Sequence, residues 1–260
     1  MIKLVDPYTK EILDVQDDAL YSGKEARFRL INGAYRVVSD DNYTESFGYQ
    51  WNRFQKTQLD RWHNEVSHSS ERFWKETGWT KEELANKNVL EVGSGAGRFT
   101  RVLLEETQAY VYSVDYSNAV EANFKNNGPN ERLKLFQASI YELPFEINEF
   151  DYVFCLGVLQ HTPEFKKSVE SLAAMLKPRG KLAIDFYEKR GWYTRVHSKY
   201  IFRPFTRRMS HEGLLKLIER NIGWLISTYQ LLTNIGLHIL TRFLPVCDIR
   251  NTLPDRKSVV

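Results

Sequence analysis

The sequence predicts an α/β domain with a doubly wound, mostly parallel sheet flanked by helices, an N-terminal cap and a helical C-terminal segment. Three observations carry that reading. Apolar runs of strand length alternate with helix-period runs from residue 80 to 188. A glycine turn, Glu91-Val92-Gly93-Ser94-Gly95-Ala96-Gly97, follows the first of those runs. The last helix of the alternation stops at Lys177-Pro178-Arg179-Gly180, where proline and glycine both end helices.

Residues 1–42 are short apolar runs broken by turn residues. Phe28-Arg29-Leu30-Ile31 and Tyr35-Arg36-Val37-Val38 flank Asn32-Gly33, a preferred two-residue hairpin turn, which predicts a small β-hairpin. Residues 43–79 are aromatic and polar, with the spacing of short helices that bury one face, and are read as a cap or lid. The core, 80–188, opens on the capping box Thr80-Lys81-Glu82-Glu83 and a short helix. Strands are expected at 88–92, 111–115, 133–138, 152–156 and 181–186, with helices at 98–106, 118–126 and 164–176. Residues 189–260 are basic and aromatic at first, then apolar from Leu214 to Leu244.

Composition narrows the function. A formal net charge of +3, with no basic arm, gives no sign of a nucleic-acid partner. The two cysteines, Cys155 and Cys247, form no CxxC pair, which argues against a zinc site or a disulfide framework. The first residues lack an apolar stretch of signal-peptide length, so a cytoplasmic location is expected.

In an open parallel sheet, ligands bind beyond the carboxyl ends of the strands, where strand order reverses. The glycine turn belongs at such a place. A dinucleotide fingerprint would set its third glycine where Arg98 stands, which disfavours a nicotinamide-dependent oxidoreductase. Asp115 closes the second strand, where a carboxylate can accept hydrogen bonds from both ribose hydroxyls of a nucleoside. Beside Ser117-Asn118 it is also placed to cap a helix; the upstream turn favours the ribose role.

With these motifs the sequence resembles the class I S-adenosylmethionine (SAM)-dependent methyltransferases, including relatives from polysaccharide and secondary-metabolite biosynthesis. Glu91 to Gly97 resembles their first motif and Asp115 their second; Phe150-Asp151-Tyr152-Val153 and Leu176 to Gly180 resemble later ones. The resemblance spans about Lys87 to Tyr187. It implies SAM as cofactor, with Glu91 fixing the methionine amine and Gly93, Ser94, Gly95 and Gly97 lining the methionine moiety. Tyr116, Ser139 and Ile140 would lie near the adenine, and Leu156 joins the cofactor set. In one departure, many relatives carry an acid near Ser139 that binds the adenine amine, whereas Ser139 offers a hydroxyl.

The stretch Cys155 to Pro163 resembles the family's V-L-x-H segment facing the transferred methyl. His161 has two readings: the base for a hydroxyl acceptor, or a residue that caps or packs the following helix. Gln160 reads as a pocket hydrogen-bonder. Tyr49, Trp51 and Arg53, in the aromatic segment, are candidates for substrate contact. The expected reaction is methyl transfer to a small-molecule or carbohydrate-like acceptor at oxygen. The rival outside enzymes is a methyltransferase-like scaffold that has lost catalysis.

Two further expectations concern the C-terminal segment. Between Asn221 and Thr241 there is no charged side chain, yet Asn221, Ser227, Gln230, Asn234 and His238 interrupt the tract. A helix pair on the substrate side of the sheet is expected; peripheral membrane contact through 203–244, aided by Arg203, Arg207 and Arg208, is the sharper alternative. The family's sheet ends in an antiparallel hairpin that is not legible after Tyr187, where Phe243 to Cys247 offers at best one short strand. Asp6-Pro7-Tyr8-Thr9-Lys10 resembles a zinc-ribbon start without its cysteines, so no metal is expected.

Overall fold

The computed structural model describes residues 2–16, 18–38, 68–186 and 198–246. The chain divides into two compact units, Met1–Tyr187 and Glu188–Val260. In the first, β1 (Leu4–Val5), β2 (Ile12–Val15), β3 (Ala19–Ser22), β4 (Glu25–Ile31) and β5 (Ala34–Arg36) precede α1 (His68–Thr77). The alternating part follows: β6 (Asn88–Val92), α2 (Arg98–Glu106), β7 (Tyr110–Asp115), α3 (Val120–Asn127) and β8 (Leu133–Gln137), then β9 (Phe150–Cys155), a 3-10 turn (Leu159–His161), α4 (Phe165–Ala174) and β10 (Leu176–Ile184).

Strand order is β1-β2-β3-β4-β5-β8-β7-β6-β9-β10, and every pair from β5 to β10 is parallel. The chain steps outward from β6 through β7 to β8, then returns to β9 on the other side of β6. The switch point therefore lies between β6 and β9, directly beneath the glycine turn.

Period-two alternation divides the buried side chains between the sheet's two faces. Leu90, Val92, Tyr112, Val114, Phe136, Val153 and Cys155 share a core with Ile2, Leu4, Leu13, Leu20 and Phe28 of the N-terminal strands and Leu172 of α4. Val89, Val111, Tyr152 and Phe154 pack on the other face with Phe73 of α1, Trp79, Leu84, and Phe99, Val102 and Leu103 of α2.

The Asn32-Gly33 hairpin forms as read: Asn32 (φ 50°) and Gly33 (φ 80°) both take the left-handed conformations that a type I′ turn needs. It is one corner of a five-stranded antiparallel meander rather than an isolated hairpin, and β5 joins the meander to β8. Arg36 fastens that seam, donating to Gln137 Oε1 at 2.7 Å and to Glu121 at 2.7 Å. The capping box forms reciprocally, Thr80 N–H to Glu83 at 3.1 Å and Glu83 N–H to Thr80 Oγ1 at 3.3 Å, but on consecutive turns instead of an α-helix.

The segment Lys177 to Gly180, read as a helix stop, enters β10 instead. Its pairing with β9 breaks between Leu176 and Lys181, and Arg179 has φ 68°. Among the described residues β10 pairs only with β9, and its edge carries Pro178, Lys177, Arg179 and Lys181. A proline without an N–H and a run of cations both discourage edge-to-edge pairing.

The second unit is helical: α5 (Ser198–Thr206), α6 (His211–Asn234) and α7 (His238–Thr241). Ser198 closes it on itself, its N–H donating to Arg242 O at 2.9 Å and its hydroxyl to Leu244 O at 2.8 Å. Residues 243–246 contain no strand, so the described part of Phe243 to Cys247 does not supply even the one short strand it offered at best. No helix among the described residues is long and apolar enough to cross a membrane.

Phe73 is fully buried and meets the rings of Trp74, Trp79, Phe99 and Phe154 at centroid distances of 4.9 to 6.0 Å. Phe73→Ala is expected to cost about 3–5 kcal/mol, read as a lowered urea midpoint, because the ring anchors α1 to both the sheet and α2. A loss under about 1 kcal/mol would show that this aromatic cluster is not part of the main core.

Candidate functional site

The site is built at the carboxyl ends of β6, β7, β8 and β9. Gly93, Gly95 and Gly97 have φ of 82°, 53° and 82°, all left-handed, which is why side chains other than glycine are disfavoured at these alternate positions. Two of them also leave no room for a Cβ. One on Gly93 would overlap Val158, from the segment after β9, and one on Gly97 would overlap Asn123 and Asn127 of α3. The tight packing at Gly93 and Gly97 is thus set by the protein itself. Gly95 is held differently, its N–H donating to Asp115 Oδ2 at 2.7 Å.

Asp115 is the hinge of this arrangement. Its other oxygen, Oδ1, accepts from Ser117 N at 2.8 Å and Ser117 Oγ at 2.7 Å. A carboxylate has about four lone-pair sites, so the three protein donors leave capacity for a ligand hydroxyl. Burial pushes its carboxyl above the usual carboxylate range, against the pull of the Ser117 and Gly95 donors. Asp115 stabilises the turn after β7 rather than capping α3, whose N-cap Ala119 receives no side-chain cap bond, and it is tied to the glycine turn through Gly95.

Glu91, read as a methionine-amine ligand, lies beneath the turn. It is buried, and its Oε2 accepts from the hydroxyls of Thr100 and of Ser113, the latter at 2.9 Å. Asn123 donates to Thr100 Oγ1 at 3.0 Å and to Ser113 Oγ at 3.1 Å, and accepts from Asn127 at 2.8 Å. β6, β7, α2 and α3 thus meet in one buried polar network whose only acid is Glu91. Burial pushes its carboxyl up to about 7, the Thr100 and Ser113 hydroxyls oppose that rise, and the charge of Asp115 adds to it.

The other candidates extend the arc. Ala138 N–H donates to Asp115 O at 3.1 Å, which sets Ser139 and Ile140, both buried, next to the end of β7. The Ser139 hydroxyl accepts from Tyr141 N–H at 3.2 Å and keeps its own proton to donate. Tyr116 is half-buried and Leu156 buried. His161 is exposed on the 3-10 turn, and Gln160 beside it is half-buried. Tyr49, Trp51 and Arg53 fall outside the described residues.

Sequence reading missed Arg72. This α1 side chain donates to Asp185 Oδ2 at 2.9 Å, while Asp185 Oδ1 accepts from Gly157 N–H, so one guanidinium and one carboxylate tie α1 to the ends of β9 and β10. Among the described residues, the buried polar atoms left without a partner fall largely at this end of the sheet: Ser94 Oγ, both amide atoms of Gln160, and Arg72 Nη1. Buried groups of this kind are costly unless something pairs with them. A ligand with an amino-acid end and a sugar fits these groups: Ser94 and Arg72 offer donors to a carboxylate, and Asp115 offers an acceptor to ribose.

The raised Glu91 pKa sets a pH dependence. Between the ordinary carboxylate range and about 7 the folded chain keeps a proton that the unfolded chain has lost. Stability is therefore expected to fall as pH rises through that window, by at most about 1.4 kcal/mol per pH unit, and to level off above it. Glu91→Gln should flatten that slope in urea titrations from acid to neutral pH; an unchanged slope would place its origin elsewhere.

The family model for a methyltransferase domain matches residues 90–184. A ubiquinone biosynthesis O-methyltransferase of Coxiella burnetii is 32% identical over 124 residues, which are 46% of this chain and 53% of that protein. A tRNA U34 carboxymethyltransferase of Nautilia profundicola is 32% identical over 104 residues, 39% of this chain and 35% of that one. The solved structure of Haemonchus contortus phosphoethanolamine N-methyltransferase 2 in complex with S-adenosyl-L-methionine aligns over 67% of this chain and 43% of its own, with 22% identity and a TM-score of 0.43. The chain spans about half the length, or less, of the curated relatives it matches. Over residues 90–184 the chain is thus similar to a methyltransferase domain, in the stretch that holds the glycine turn and Asp115.

Proposed function

We propose that this chain transfers the methyl group of SAM to an oxygen of a small-molecule or carbohydrate-like acceptor. The observation that carries the reading is that the unpartnered Ser94, Gln160 and Arg72 atoms and Asp115 all belong to the carboxyl end of the sheet, with Ser94, Asp115 and Gln160 inside the residues matched by the family model. The O-methyltransferase similarity supports oxygen as the acceptor atom.

SAM, when bound, supplies a methyl group on a sulfonium, transferred by in-line displacement. The chain's own part is alignment and exclusion of water. In this reading Ser94 and Arg72 hold the amino-acid end, Asp115 accepts from ribose, and Ser139, Ile140, Tyr116 and Leu156 surround the adenine. Gln160 donates to or accepts from the acceptor, and His161 takes the acceptor hydroxyl's proton; Tyr49, Trp51 and Arg53 are the further candidates for substrate contact.

The direct test is incubation with SAM carrying a labelled methyl group and a panel of phenols, sugars and hydroxy acids. Label recovered as a methyl ether supports the reading. SAM binding without transfer to any of them would leave a scaffold.

Two substitutions divide the roles. Asp115→Ala should weaken SAM binding about 10- to 100-fold by calorimetry, since a charged acceptor and the Gly95 anchor are lost together; unchanged affinity would remove Asp115 from the site. His161→Ala should slow turnover about 100-fold or more while SAM affinity stays within about twofold. A normal rate would return His161 to packing.

A further inference from the structure

Of the twenty-one exposed large hydrophobic side chains among the described residues, twelve lie between Ile201 and Phe243. They are ordered. Ile201, Phe202, Phe205 and Met209 follow helical spacing along and just beyond α5, and Leu217, Trp224 and Leu231 recur every seven residues on one face of α6. Leu237, Ile239, Leu240 and Phe243 surround α7, and the Ser198 bonds to Arg242 and Leu244 bring that end of the unit to the start of α5. Phe205 is 68% exposed and Ile239 77%, values that no folded interior accounts for.

The same stretch is cationic. From Ser198 to Val246 the sequence has Lys199, Arg203, Arg207, Arg208, Lys216, Arg220 and Arg242 against Glu212 and Glu219. Arg203, Arg207 and Arg208 are exposed beside Phe202, Phe205 and Met209.

We infer that the unit formed by α5, α6 and α7 docks on an anionic lipid surface, its apolar residues entering the acyl boundary and its arginines meeting phosphate headgroups. Charge selects this occupant over a second copy of the chain, which would bring the same positive face against itself. A spanning arrangement is excluded for α6 by Glu212, Lys216, Glu219 and Arg220 in its first half. The uncharged remainder, Asn221 to Asn234, reaches only about 21 Å of the roughly 30 Å that hydrocarbon requires. A helix with one apolar face and flanking cations lies in the interface plane. The inference holds whichever acceptor the methyltransferase domain serves.

The experiment uses the full chain with vesicles of phosphatidylcholine alone or mixed with phosphatidylglycerol, read by co-sedimentation and by quenching of Trp224 with brominated lipid against a Trp224→Phe control. Binding to the anionic vesicles that weakens with added salt is expected. Arg207→Ala with Arg208→Ala should lower partitioning roughly 25-fold, about fivefold per charge. Phe205→Ser with Ile239→Ser should also release the chain; both side chains are exposed, so folding is kept, and circular dichroism verifies it. Equal partitioning into neutral and anionic vesicles, or unchanged binding by the arginine variant, overturns the proposal. So does a dimer in vesicle-free buffer that Phe205→Asp dissociates, since that gives the surface to a second copy.

Discussion

The hydrogen bond from the Gly95 amide to Asp115 Oδ2, at 2.7 Å, joins the turn after β6 to the end of β7. Asp115 has to bend back toward β6 to make it, and the Ser117 bonds hold it there. Gly93 and Ser94 also donate to Val114 O, at 2.7 and 3.1 Å, so the turn rests on β7 through three contacts. A loop fastened this way is pre-organised, and a ligand binding to it loses less affinity to ordering of the protein. Several of the site's described residues are placed relative to that fastening: Ser139 and Ile140 through the Ala138–Asp115 bond, and the His161 segment through Val158 packed on Gly93.

The same constraint explains a buried acid beneath the turn. Glu91, Ser113 and Asp115 alternate onto one sheet face, with Glu91 and Ser113 directly paired in register. α2 and α3 must cover that face, yet Gly97 leaves Asn123 and Asn127 close against the start of α2. Polar groups brought so near need mutual hydrogen bonds. The Glu91–Thr100–Ser113–Asn123 network supplies them, and it fixes the direction in which α2 leaves the turn. Glu91 then supports the glycine turn from below, through bonds that sequence alone does not reveal.

Much of this was legible from residue order. The runs at 88–92 and 98–106 were read at their observed limits, because strong apolar periodicity meets an unambiguous glycine break there. The short strands at 4–5, 12–15 and 19–22 were not, since two to four residues give no alternation to detect. Arg72 was hidden for a different reason. On a helix it resembles any solvated cation, and only the fold brings Asp185, 113 residues later, beside it. Asn123 was likewise unreadable, because its importance depends on α3 lying against Gly97. The polar contacts that make the site are long-range, whereas periodicity reports only local order.

A parallel sheet that grows by β5 on one side and, among the described residues, has β10 as its last strand on the other raises a question of edge pairing. An open strand is a template for pairing. Here the irregular run Lys177-Pro178-Arg179-Gly180 interrupts the register with β9, so the exposed edge is not a flat ladder. Lys181 donates to Glu83 at 2.7 Å and Lys177 to Asp151 at 3.1 Å, which keeps both cations on the strand. Neutralising those lysines would leave a less charged margin beside Ala183 and Ile184. The residues that resemble a family motif therefore also protect the margin of the sheet, and their local irregularity is the physical reason one segment can serve both ends.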